Sequence, residues 1–148
     1  MQPPETLATS RLRLRPPQLE DAQAIFAGYA QDRAVTKYLT WRPHRDIDET
    51  RAFLQSCLAG WQDASAFPWA IIRTVDGQLL GMVELRVDGH RVDLGYVLAR
   101  RAWGQGYMTE AVGALMEWVW QQPGVYRVWA VCDIENQASA RVLEKVGM

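Results

Sequence analysis

The sequence predicts an α/β domain with a mixed sheet, and three observations predict it. Residues 68–98 hold three β-rich runs parted by Asp76-Gly77 and Asp88-Gly89, the pattern of an antiparallel meander. VYRVWAVC, residues 125–132, is apolar on both faces, as an interior strand is. A glycine loop and an apolar helical segment separate the last meander strand from VYRVWAVC, so the three form a right-handed βαβ unit with parallel strands.

The elements follow in order. RLRLRPP, residues 11–17, alternates Arg with Leu and stops at a proline pair, the pattern of an edge strand with one wet face. Ala22, Ile25, Phe26 and Tyr29 then fall at helical spacing behind Glu20 and Asp21. Asp46 and Glu49 have capping-box spacing, and Phe53, Leu54, Cys57, Leu58 and Trp61 form the stripe of a second helix expected to end near Gly60. The meander comes next. From Thr109, TEAVGALMEWVW is apolar around most of its circumference, as a helix buried between a sheet and other helices would be, and Pro123-Gly124 ends it. In ENQASARVLEKVGM, Ala138, Val142, Leu143 and Val146 mark a last helix, with Gly147 as its stop.

The chain of 148 residues reads as one domain, long enough to bury a core without staples. A formal charge of -1 argues against a broad nucleic-acid footprint. Fourteen of its sixteen basic residues are Arg, which suits local bidentate anion contacts. Cys57 and Cys132 are too few and too separated for a disulfide framework or a zinc site, so no metal is expected. No targeting signal or spanning stretch is visible, and the expectation is a soluble, cytoplasmic protein without membrane partners.

The chemistry begins at RRAWGQGYMTEA, residues 100–111. A nucleotide-triphosphate loop needs Lys and Ser or Thr straight after its second glycine, where this chain has Tyr107 and Met108. A dinucleotide fingerprint needs a third small residue, and GQGYMT ends in Thr109. What remains is R-x-x-G-x-G, Arg101 to Gly106, opening a helix. There, backbone amides from about Trp103 through Gly104, Gln105, Gly106, Tyr107 and Met108 can face a pyrophosphate, with the helix dipole behind them.

Four blocks in order resemble one family: TSRLRLRPPQLED, VTKYLTW, LGYVLARRAWGQGYMTEA and NQASARVLEKVGM are similar to the GNAT N-acetyltransferases, in the branch containing the RimJ and RimL ribosomal-protein acetyltransferases. The resemblance covers nearly the whole chain. It implies a GNAT fold, with a mixed, mostly antiparallel sheet around a central βαβ unit, and acetyl-CoA held by the glycine loop in a splay between the two parallel strands. It further implies a bulge in GYVLA, residues 95–99, with a backbone amide near Val97 or Leu98 facing the acetyl carbonyl. Ser139 matches a serine that lies near the thioester sulfur, and Asn136 one that contacts the pantetheine arm. Thr109 closes the cofactor set at the helix entrance.

Acetyl transfer to an amine needs a positioned thioester, a neutral amine, an oxyanion donor and a proton for the leaving thiolate. Glu84 and Asp93 are the acids on central strands that could take the ammonium proton, and each could equally pair with Arg86 or Arg91. Glu84 is preferred. Cys132 has no histidine placed to activate it and reads as a small core residue, as does Cys57. Tyr38, Trp41, Trp69, Tyr96 and His44 are candidates for the acceptor side or for packing.

The reading is therefore an acetyl-CoA-dependent N-acetyltransferase that acts directly on a primary amine, a protein N-terminus or a small molecule. A silent acyl-CoA-binding or dimerising module is the alternative. Family domains continue through two more strands after the last helix, where this chain ends. The expectations are a shortened chain, a second copy that covers VYRVWAVC in a homodimer, or a fold that tolerates the loss.

Overall fold

The computed structural model describes residues 2–37, 39, 41–130 and 137–147, the side chains of residues 137 and 138 excepted. Six strands form one sheet in chain order: β1 (Leu7–Ala8), β2 (Leu12–Arg15), β3 (Ala66–Arg73), β4 (Leu79–Asp88), β5 (Arg91–Leu98) and β6 (Arg127–Ala130). Neighbours run antiparallel from β1 to β5, and β5 pairs with β6 in parallel, with Arg91 opposite Arg127 through Leu94 opposite Ala130. The mixed, mostly antiparallel sheet and its βαβ unit are as the sequence predicts.

Strand alternation divides the interior in two. Leu12, Leu14, Phe67, Trp69 and Ile71 pack in one cluster with Ala111, Val112, Leu115 and Val119 of α4 (Tyr107–Val119). Ala70, Ile72 and Met82 pack in another with Ile25 of α1 (Ala22–Ile25) and Leu54 and Cys57 of α3 (Ile47–Asp63). Period-two side chains on β3 thus feed both cores, which is why its pattern reads almost continuously buried. The short α2 (Arg33–Thr36) precedes α3, and α5 (Gln137–Lys145) packs on α4.

Four local expectations are corrected. β2 is not an edge, because the two-residue β1 pairs along it. The first helix is four residues of α-helix that pass at Phe26 into a π-helical turn ending at Ala30, and periodicity does not signal that widening. α3 is capped as predicted, with the Asp46 carboxylate accepting from the Glu49 amide at 3.0 Å, but it runs past Gly60 to Asp63. Gly60 instead admits β3: a Cβ there would stand 2.9 Å from the Ala66 carbonyl oxygen. β6 alternates exposed and half-buried residues where an interior strand was expected. Among the described residues no helix is long and apolar enough to cross a membrane.

Tyr29 lies in the second core at 2% exposure, and its hydroxyl has no hydrogen-bond partner among the described residues. Burial pushes its pKa well up. A buried hydroxyl without a partner costs free energy, so Tyr29→Phe is expected to leave stability unchanged or raise it by about 1 kcal/mol. Denaturant unfolding reads this directly, and a marked loss of stability would count against it.

Candidate active site

β5 ends at Leu98, and the chain makes a 3-10 turn at Arg100–Ala102 before the glycine loop enters α4. Gly104 and Gly106 both take left-handed φ, 73° and 79°, which side-chain-bearing residues rarely adopt. Gly106 is the N-cap of α4 and offers no side chain to its first turn. The first amides of α4 are thus left to the solvent or to a ligand, at the positive end of the helix dipole.

Side chains brace this loop from behind. Arg11 donates to the Gln105 carbonyl at 3.0 Å and to Glu110 at 2.7 Å, and its guanidinium lies 4.3 Å from the centre of the Tyr107 ring. Thr9 also hydrogen-bonds Glu110. Arg100 pairs with Asp32, the N-cap of α2, and so ties the loop to that helix. Arg101 donates to the Leu79 carbonyl at 2.9 Å and lies against Gly28 in the π-helical turn. The Trp103 indole donates to the Leu98 carbonyl at 2.8 Å, and the Gln105 amide to the Arg101 carbonyl at 3.0 Å.

A cavity of 680 Å³ opens on the loop. Of the residues expected to touch the cofactor, Val97, Leu98, Trp103, Gly104, Gly106, Tyr107, Met108 and Thr109 line it. Arg101 and Gln105 do not, since their side chains are committed to the protein's own carbonyls. Tyr107 is buried and turned to Arg11, so what it can offer a ligand is backbone. Arg141 and Lys145 on α5 bring positive charge to the opposite wall, a contribution the loop motif does not reveal.

A second cavity, of 560 Å³, contains Glu84, Asp93, Arg86 and His44. Asp93 accepts a salt bridge from Arg86 at 3.1 Å, which is the bland role weighed for it in the sequence. Glu84, half-buried on β4, makes no hydrogen bond or ion pair within 4 Å among the described residues. Burial raises its pKa above the ordinary glutamate value, with Arg86 opposing and Asp93 reinforcing the shift. His44 is fixed by a 2.7 Å hydrogen bond between Nδ1 and the Thr50 hydroxyl, stands 5.1 Å from the Trp41 ring, and is held below the usual histidine pKa by burial.

The two cavities share Leu39, Tyr96, Val97 and Ser139. At that junction the Tyr96 hydroxyl and Ser139 Oγ are 2.6 Å apart, and Tyr96 also donates to the Ser139 carbonyl at 3.0 Å. Tyr96 was one aromatic among several in the sequence. Its pairing with Ser139 is a contact between residues 43 positions apart that no local pattern encodes.

Gly81 on β4 sits opposite Leu98, and a Cβ there would overlap the Val97 carbonyl and stand 2.9 Å from Leu98 Cα. The expected bulge in residues 95–99 does not appear in the pairing of β4 with β5, which runs in unbroken register from Gly81–Leu98 to Asp88–Arg91. The close approach at Gly81 marks this stretch instead. Asn136, Cys132 and Tyr38 lie outside the described residues.

Comparison with known proteins gives a consistent result. Residues 11–148 match the model of the acetyltransferase (GNAT) domain. The uncharacterized N-acetyltransferase YoaA of Bacillus subtilis (strain 168) is 30% identical over 144 residues, covering 95% of this chain and 81% of that protein. The ribosomal protein uS5 alanine N-acetyltransferase of Escherichia coli (strain K12) is 26% identical over 160 residues, covering 98% and 78%. Among solved structures, RimL, a ribosomal L7/L12 α-N-protein acetyltransferase in complex with coenzyme A, superposes with a TM-score of 0.87 at 23% identity, covering 97% of this chain and 83% of that one, and this likeness shows the fold.

Proposed function

The chain belongs to the GNAT acetyltransferase family, and from that premise we propose that it transfers an acetyl group from acetyl-CoA directly to a primary amine, in a ternary complex and in the cytoplasm. The observation that carries this reading is the junction: a cavity on the glycine loop and a cavity holding Glu84, a carboxylate without a partner among the described residues, meet at Tyr96, Val97 and Ser139. The donor fits the first. Two glycines at positive φ, an N-cap without a side chain, and Arg141 and Lys145 opposite suit a pyrophosphate and its flanking phosphate.

When bound, acetyl-CoA supplies an activated thioester carbonyl. Glu84 accepts a proton from the ammonium, directly or through water, which frees the nitrogen lone pair to form the new C–N bond. Arg86 neutralises Asp93, so Glu84 is the carboxylate left to act. The C–S bond breaks with its electron pair on sulfur, and the Tyr96–Ser139 pair delivers a proton to the thiolate. The backbone near Val97 and Leu98 provides the donor for carbonyl oxygen charge. The amine belongs to a protein N-terminus, as for the uS5 relative, or to a small molecule.

Thiol release from acetyl-CoA over a panel of amines and peptides tests the proposal, and absence of acetyl-CoA binding would overturn it. Ser139→Ala is expected to lower kcat about a hundredfold, the lower end of what general-acid assistance is worth because the Tyr96 hydroxyl remains, with the KM for acetyl-CoA little changed. Steady-state kinetics separate the two. A raised KM at unchanged kcat would assign Ser139 to donor binding alone.

A further inference from the structure

The acceptor cavity carries chemical information about its occupant. Part of its wall is apolar: Ile25, Leu39, Trp41, Phe53, Pro68 and Met82 line it, with His44 between Trp41 and Phe53 at ring separations of 5.1 and 6.2 Å, while Tyr96 and Ser139 line its junction with the donor cavity. Thr50 is fully buried and holds Nδ1 of His44, so the imidazole is part of a fixed aromatic wall. The charged residues lining the cavity are Glu84, Asp93 and Arg86, and the last two are paired at 3.1 Å. Away from the Tyr96–Ser139 junction, what faces the occupant is an apolar surface and one carboxylate, Glu84, with no hydrogen bond or ion pair among the described residues.

That combination discriminates on two counts. An ammonium is attracted to Glu84, whereas a carboxylate beside the amine would meet Glu84 with Arg86 already engaged. A peptide main chain needs a partner for every buried amide and carbonyl, and the apolar side chains around Trp41 and Phe53 offer none. A cavity of 560 Å³ lies within the span, about 300–1,000 Å³, that holds small molecules.

Resting on the transferase reading above, we propose that the acceptor is a small primary amine on a short chain bearing an apolar, ring-sized body and no carboxylate. The ring packs on Trp41 and Phe53, and the ammonium reaches Glu84. Extended protein N-termini and free amino acids are discriminated against by the same groups.

The test measures kcat/KM with saturating acetyl-CoA for 2-phenylethylamine, phenylalanine, ethylamine and a hexapeptide beginning with alanine, alongside calorimetric acetyl-CoA binding. Phenylethylamine is expected to exceed phenylalanine by roughly a hundredfold, from the added like charge, and to exceed the peptide as well. Trp41→Ala is expected to raise the KM for phenylethylamine about tenfold and so to remove most of its advantage over ethylamine, with acetyl-CoA affinity, read by calorimetry, as in the parent protein. Equal or faster turnover of the peptide or of phenylalanine overturns the acceptor proposal and leaves the transferase reading standing. Acetyl-CoA binding without turnover of any acceptor overturns both.

Discussion

Glu84→Gln is expected to lower kcat by roughly a hundredfold to ten-thousandfold, the usual worth of a positioned general base, while acetyl-CoA binds as before. The amide keeps the shape and polarity of the side chain but cannot take the ammonium proton, so the loss falls on chemistry. The pH profile identifies the group. The active form is the carboxylate, and burial raises its pKa above 4.5, so kcat/KM should fall as pH drops through that raised value. The acid limb therefore lies above that of a free glutamate, and it should vanish in Glu84→Gln. His44 is shifted down by burial and is the neighbour most easily confused with Glu84 in such a profile. Persistence of the limb in Glu84→Gln would move the proton acceptor to another group. The chemical step itself, measured by rapid quench with a saturating amine, should show the same deficit as kcat.

Gly81→Ala carries the second large effect, and it acts through backbone. The new Cβ would overlap the Val97 carbonyl and crowd Leu98 Cα at 2.9 Å, both atoms of main chain that cannot swing aside. Overpacking a well-packed position costs about 1–3 kcal/mol and sometimes more. Here the strain falls on the last turn of β5, which carries Tyr96 and Val97 to the junction and leads into the loop through the bond from the Ala99 amide to the Leu80 carbonyl, 2.7 Å. Weaker acetyl-CoA binding by calorimetry should accompany a lowered melting temperature. Unaltered values for both would mean that the close approach is readily relieved. The contrast with Gly77 is a useful control, since that glycine has positive φ but open space around it, and its replacement should cost only turn strain.

Much of the fold was legible because its signals are local. Asp76-Gly77 and Asp88-Gly89 mark the two hairpins, Asp46 and Glu49 the start of α3, and the apolar circumference of residues 109–120 the helix between sheet and α5. What the sequence misjudged depends on partners distant in the chain. β6 reads as interior from its own residues, but burial is decided by what packs on it. Gly60 reads as a helix stop, yet its lack of a side chain serves the approach of Ala66.

The site divides in the same way. The glycines of the loop announce themselves through spacing, and the structure gives them the left-handed φ that only glycine adopts easily. Arg101 occupies the first position of the motif, but its guanidinium is spent on Leu79, two strands back in the chain. The sequence preferred Glu84 to Asp93 only slightly, since either could pair with Arg86, and the salt bridge that Arg86 makes with Asp93 supports that preference. Arg11, which fixes the loop through Gln105, Tyr107 and Glu110, lies in the bend just before β2, whose alternation explains Leu12 and Leu14 and says nothing of the arginine ahead of them.

In the proposed reaction the acetyl group passes directly from donor to amine at the junction of the two cavities. This is tested most directly by quenching the protein during turnover with acetyl-CoA and an accepted amine, then weighing protein and products by mass spectrometry. Direct transfer is expected to give N-acetylated amine and free coenzyme A in equal amounts, with the protein at its unmodified mass throughout. Protein that gains an acetyl group and passes it on to the amine, or acetyl-CoA consumed without acetylated amine, would contradict it.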